Sequence, residues 1–236
     1  MKLHNYILTI FFLTTLLRSF DINGNDIDEE IKDFILKNPE IIIESLQKLE
    51  AKKENEKKLE NKNKINTLSN QIYSSESLFE GNELSNKIIV EFFDYNCSYC
   101  KRAHLDLKKI ISDDKNIKVI YKNYPILSEN SLKLAKYALI ISEIDKKKFI
   151  KFHNLILMNK GMINDEVLSS ILAKLEIDRN YLEKKINDEE INQKLQNDIE
   201  LARNLGLRGT PAFIISDEIF FGYINKEDMV SIVNQQ

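Results

Sequence analysis

The chain has 236 residues, 43% hydrophobic and 30% charged, with 34 Lys and Arg against 37 Asp and Glu. That composition supports a sizeable core plus an appendage, and the formal charge of −3 argues against a nucleic-acid partner, which calls for a basic excess. Gly (6) and Pro (3) are scarce, so each one carries positional weight. At the N-terminus, Lys2 precedes an apolar run from Tyr6 to Leu17, and polarity returns at Arg18. The run is shorter than the roughly 20 residues of a membrane span and suits the apolar stretch of a secretory signal, assigned to residues 1–20. A buried first helix is the weaker reading, because only Thr9, Thr14 and Thr15 interrupt the run. No small-x-small cleavage site follows, which leaves an uncleaved anchor as the alternative. Export implies a compartment where disulfides persist.

Residues 21–74 read as a helical association arm and linker. Ile27, Ile31, Phe34 and Ile35 recur at helical spacing, and Asn38-Pro39 ends that helix and starts another. Ile42, Ile43, Leu46 and Leu49 mark the second helix, which turns polar from Ala51 to Lys64 with six lysines and three glutamates. The polar stretch reads as a solvated or flexible linker. The apolar stripe before it would be exposed on a monomer, so self-association through residues 26–70 is favoured over folding back.

From residue 75 the pattern changes. "KIIVEFFDY" (87–95) and "NIKVIYKNYP" (116–125) read as buried strands, and Cys97 to Ile111 between them has helical spacing. This order is a βαβ unit with a parallel pair. A block of helices follows, over Ser128–Ser142, Asp145–Met158, "DEVLSSILAKLEI" and a segment ending at Gly206, a natural C-terminal cap. "PAFIIS" and "EIFFGY" then form a hairpin across Asp217, and "NKEDMVSIVNQ" closes the chain as a helix.

Both cysteines lie in "EFFDYNCSYCKRAH" (91–104), three positions apart. A structural zinc needs four ligands, and His4, His104 and His153 are the only histidines available. A structural disulfide across so short a loop stabilises little. The redox reading fits the local geometry. Cys97 falls where strand gives way to helix, so free backbone N–H groups and the positive end of the helix dipole face its sulfur and favour thiolate. A stabilised thiolate is a good leaving group, which makes the corresponding disulfide easy to attack. Cys100, one turn deeper, is the shielded partner. "GLRGTPAFII" adds Thr210-Pro211 at the mouth of a strand, where proline is confined to first or edge positions.

Together, "EFFDYNCSYCKRAH", "YKNYPIL" and "LGLRGTPAFII" resemble the DsbA family of thioredoxin-fold thiol:disulfide oxidoreductases, over about residues 77 to 236. The arm resembles the N-terminal extension of ScsC-like relatives, some of which trimerise through it and act as isomerases. The resemblance implies an α/β thioredoxin fold with a helical insertion between its βαβ and ββα halves, preceded by a helical arm, with the catalytic domain at 75–236. It implies that Cys97 is the exposed nucleophile, Cys100 its buried partner and Pro211 a cis-proline. Thr210 would offer backbone bonds to a substrate strand, and Glu91 would transfer protons beneath the pair. For Glu91 an outward-facing strand carboxylate is the equal alternative, and His104 reads as a partly exposed structural histidine. Ser98 stands where many relatives carry proline and Thr210 where strong oxidants often carry valine, so the potential does not transfer.

The expectation is a periplasmic oxidoreductase exchanging its disulfide with cysteine-containing client proteins, tilted toward disulfide formation and recharged by a membrane redox partner. No bound cofactor or metal is expected. The alternatives are a trimeric isomerase or reductase of the same fold, a copper-handling protein using Cys97 and Cys100 as a soft thiolate pair, and a structural adaptor built on the arm.

Overall fold

A computed structural model describes residues 24–235; the leader assigned to 1–20 lies outside them. The chain divides after Glu56 into two compact units.

The first unit holds α1 (Gly24–Lys37) and the beginning of the long α2 (Glu40–Ile72). Asn38 closes α1 by donating its side-chain amide to the Phe34 carbonyl at 2.8 Å. No side chain between Ile27 and Glu56 is buried. Ile31, Phe34, Ile43 and Leu46 are each more than half exposed.

The polar stretch read as a linker is helical throughout. Lysine and glutamate are strong helix formers, and Glu60–Lys64 adds an i,i+4 ion pair at 2.6 Å. Beyond it, Ile65 and Ile72 on the same helix are buried. The unit that holds the sheet therefore begins at Lys57, whereas the sequence reading began the catalytic domain at residue 75. Ile65, Leu68 and Ile72 do recur at helical spacing, but they follow the long polar run from Ala51 to Lys64, which set the reading of the whole segment as a linker.

The second unit is built on a five-stranded sheet ordered β1-β3-β2-β4-β5. Its strands are β1 (Leu78–Gly81), β2 (Ile88–Phe93), β3 (Lys118–Asn123), β4 (Ala212–Ile215) and β5 (Glu218–Phe221). β2 and β3 run parallel across α3 (Ser98–Asp113), and the other pairs are antiparallel. This is the expected βαβ and ββ arrangement, with helices inserted between its halves. Four of these are α4 (Glu129–Ile144), α5 (Lys146–Met158), α6 (Asp165–Lys174) and α7 (Arg179–Lys185). The fifth is α8 (Glu189–Asn204), and α9 (Lys226–Val233) follows the hairpin. Ser128, Asp145, Asn164, Asp178 and Asn225 each cap the helix that follows with a side-chain oxygen on a first-turn N–H. α8 ends as expected at Gly206, with φ +78° and Leu207 N–H on Ala202 O at 2.9 Å.

β1 and α7 were not foreseen. β1 is a four-residue edge strand, and α7 is seven residues with only Leu182 buried. Neither is long enough to show a period. Gly81 ends β1 at φ +97°, where an added Cβ would run into the Ile117 carbonyl oxygen.

Alternation along β2 divides the core. Ile89 and Phe93 pack with α3 to α6 and α9, while Val90 and Phe92 pack with Ile65 and Ile72 of α2 and with Leu201 and Ala202 of α8. Glu91 has the parity of Ile89 and Phe93, and so points to the α3 side.

Candidate active site

β2 stops at Phe93, and the chain turns through Asp94–Asn96 into α3. Asp94 builds that turn. Its Oδ1 accepts from Asn96 N–H at 2.8 Å and its Oδ2 from Leu127 N–H at 3.0 Å, tying the turn to the segment before α4. The Asp94 carbonyl accepts from Cys97 N–H at 3.0 Å. Cys97 is thereby fixed as the N-cap residue of α3, extended at φ −76° and ψ 119°.

Its sulfur takes the place of a capping oxygen, accepting from Cys100 N–H at 3.4 Å. On its other side the thiol donates to Thr210 O at 3.2 Å. The Cys97 thiol is held down at about 6, chiefly by the Cys100 side chain, with the Cys100 and Tyr99 N–H groups helping against the opposing effect of burial; the bond to the Thr210 carbonyl belongs to the protonated form. At neutral pH it is mostly thiolate. Cys100 is fully buried, and burial, the neighbouring Cys97 sulfur and the Glu91 charge push its thiol far above the ordinary cysteine range. Two sulfurs one helical turn apart thus have opposite acidities, the asymmetry a dithiol needs to expose one nucleophile and hold one in reserve.

Cys97 is only 6% exposed, less open than the sequence reading expected, because the Thr210 carbonyl sits against its sulfur. The Thr210-Pro211 bond is cis, as the resemblance implied. It leads into β4, where Ala212 pairs with Phe92 of β2. The fold thus brings Thr210 and Pro211 to the cysteines across more than a hundred residues of chain.

Glu91 is fully buried, which removes the outward-facing alternative. Neither carboxyl oxygen has a hydrogen-bond partner. Burial, then the Cys97 charge, raises it to about 8, so it is largely a neutral acid at pH 7 beneath the sulfurs.

His104 is fully buried too, not partly exposed as expected, since α5 packs on that face of α3 and brings His153 to 5.1 Å from its ring. His153 Nδ1 meets Tyr95 Oη at 3.1 Å. Burial lowers His104 to about 4 and His153 well below its ordinary range, so both are neutral. Among the described residues no group of three or more His, Cys, Asp or Glu is arranged to hold a metal ion.

Asp94, Asn96 and Lys101 escaped the sequence reading. Asn96 bonds the Ser128 and Ser131 hydroxyls at 3.1 and 3.0 Å. Lys101 donates to the Asn159 and Gly161 carbonyls at 2.9 and 2.6 Å. Only the Asp-x-Asn turn before the cysteines carried a local signal; the partners of the other two lie far along the chain.

Comparisons with known proteins agree on this architecture. The family model described as "DSBA-like thioredoxin domain" matches residues 88–234, and the one described as "Copper resistance protein ScsC N-terminal domain" matches residues 25–56. The thiol-disulfide exchange protein alpha-DsbA2 of Wolbachia pipientis is 36% identical, with 76% of this chain and 97% of that one covered at a TM-score of 0.70. Proteus mirabilis ScsC in a transitional conformation is 27% identical, with 90% and 95% covered at a TM-score of 0.67. A curated relative, Na(+)/H(+) antiporter NhaA 1 of Salinispora arenicola, is 23% identical over 150 residues, 61% of this chain. The chain spans about a fifth of that relative's length, 22% of it being covered.

Proposed function

From the premise that the chain belongs to the DSBA-like thioredoxin family, with a ScsC-type segment ahead of that domain, we propose that it is an exported protein thiol:disulfide oxidoreductase. The observation that carries the reading is the split between a Cys97 thiol at about 6 and a buried Cys100 thiol pushed far up. In the forming direction a client thiolate attacks Cys97 of the Cys97–Cys100 disulfide. The S–S bond breaks, and Cys100 leaves and takes a proton, a transfer assigned to Glu91. A second client thiolate then attacks the client sulfur of the mixed disulfide and expels Cys97 as thiolate. The client loses two electrons and the enzyme gains them, to be passed to a membrane redox partner. Thr210 and Pro211 are assigned to holding the client strand across the sulfurs.

Residues 1–20 are assigned to the leader and the periplasm to the working compartment, where such a disulfide persists. The exposed apolar face of the arm supports association, with a trimer as the form proposed. That face also favours a second reading, an isomerase in which reduced Cys97 attacks wrong client disulfides. Refolding reduced ribonuclease beside its scrambled form tests the direction. Reactivation of the reduced form by the oxidised protein is expected, and reactivation of the scrambled form alone would reverse the assignment.

A further inference from the structure

Beside the cysteines, where α3 faces the helical insertion, lies an open groove of about 970 Å3. Asn96 and Ser98, on either side of Cys97, form its near end, and neither Thr210 nor Pro211 lines it. Its wall carries Leu105, Leu127, Met158 and Met162, which are 47%, 55%, 57% and 85% exposed. So many uncovered large apolar side chains in one groove mark a contact surface. The two methionines can reshape it around different sequences.

The charge is as one-sided as the wall is apolar. Lys101, Arg102 and Lys160 line the groove with no carboxylate, in a chain with more Asp and Glu than Lys and Arg. The loop that carries Lys160 is tied to the first turn of α3 by the bonds from Lys101 to Asn159 and Gly161. Lys160 itself is exposed.

We propose that this groove seats the client segment flanking the reacting cysteine and selects extended segments that combine apolar side chains with an Asp or Glu. The proposal rests on the oxidoreductase reading and names its client class. The sign is diagnostic. The chain's net charge of −3 repels acidic clients at long range, so a preference for them has to arise locally.

The test uses the full reduced protein and two peptides with one cysteine and identical apolar flanks, one bearing two Asp and the other two Lys. Each peptide is a disulfide with 2-mercaptoethanol. Exchange transfers two electrons, leaving the Cys97–Cys100 disulfide and two free thiols. The Asp peptide is expected to react about tenfold faster at low salt, with the ratio shrinking as salt screens the groove. Lys160→Glu should reverse the preference, and Met162→Asp should slow both peptides. Neither variant should alter exchange with bis(2-hydroxyethyl) disulfide, which is too small to reach the groove. Equal rates for the two peptides, or a ratio untouched by Lys160→Glu, overturns the proposal. So does a peptide rate that falls with protein concentration and recovers in Met162→Asp, since a second copy would then hold the groove. Failure of the wild type on the small disulfide overturns the oxidoreductase reading and the groove's role with it.

Discussion

Cys97 and Cys100 differ in acidity because one caps a helix and the other lies inside it. Cys97→Ser should abolish exchange, whereas Cys100→Ser should retain attack and accumulate mixed disulfides, visible by non-reducing electrophoresis and mass. Glu91 makes the opposite demand on the protein. With its folded value raised to about 8 from an ordinary 4.5, the fold binds more protons than the unfolded chain between those limits. Stability therefore falls as pH rises through that window. Glu91→Gln should flatten the decline in urea midpoints and leave the variant more stable than wild type at pH 8. The same change should slow proton transfer at Cys100 by about 100-fold, the low end of what a positioned acid or base contributes. A carboxyl retained only for structure would show the first effect without the second. Cys97 and Thr210-Pro211 could be identified in the sequence because strand-end, cap and proline chemistry are local. The burial of Glu91 and His104 could not, because it depends on which helix covers the α3 side of β2.

Among the elements, β2, β3 and the helices α4, α5 and α6 were legible from dense β-branched runs and helical apolar periods, whereas α7, with only Leu182 buried, was not. The second half of α2 was not, since the short period of Ile65, Leu68 and Ile72 follows a long polar run. Those two side chains close one face of the sheet with Leu201 and Ala202. Ile65→Ala should therefore destabilise the second unit by about 2–5 kcal/mol, read from denaturant midpoints, although the residue lies in what reads as a linker. A change of a few tenths would mean that α2 is not held on the sheet in solution.

On the scale of the whole chain, the division after Glu56 decides how the arm is tested. The ScsC-type match ends at the same residue. Removing residues 26–70 would strip Ile65 from the core and confound assembly with unfolding. Removing 26–56 spares it. That truncation should change the light-scattering mass from an oligomer to a single copy while retaining exchange with small disulfides. An unchanged mass would end the arm's role in assembly.

The cysteine spacing, the strand that precedes it and the Thr-Pro before the hairpin were enough to identify a sulfur-exchange protein, since helix capping and proline's missing N–H act within a few residues. Folding supplied what lies between distant segments: the Thr210 carbonyl against Cys97, the neutral acid beneath the pair, the buried histidines and the cationic apolar groove. Each requires segments far apart in the chain to meet or to cover one another. Their burial and charge exist only once they do.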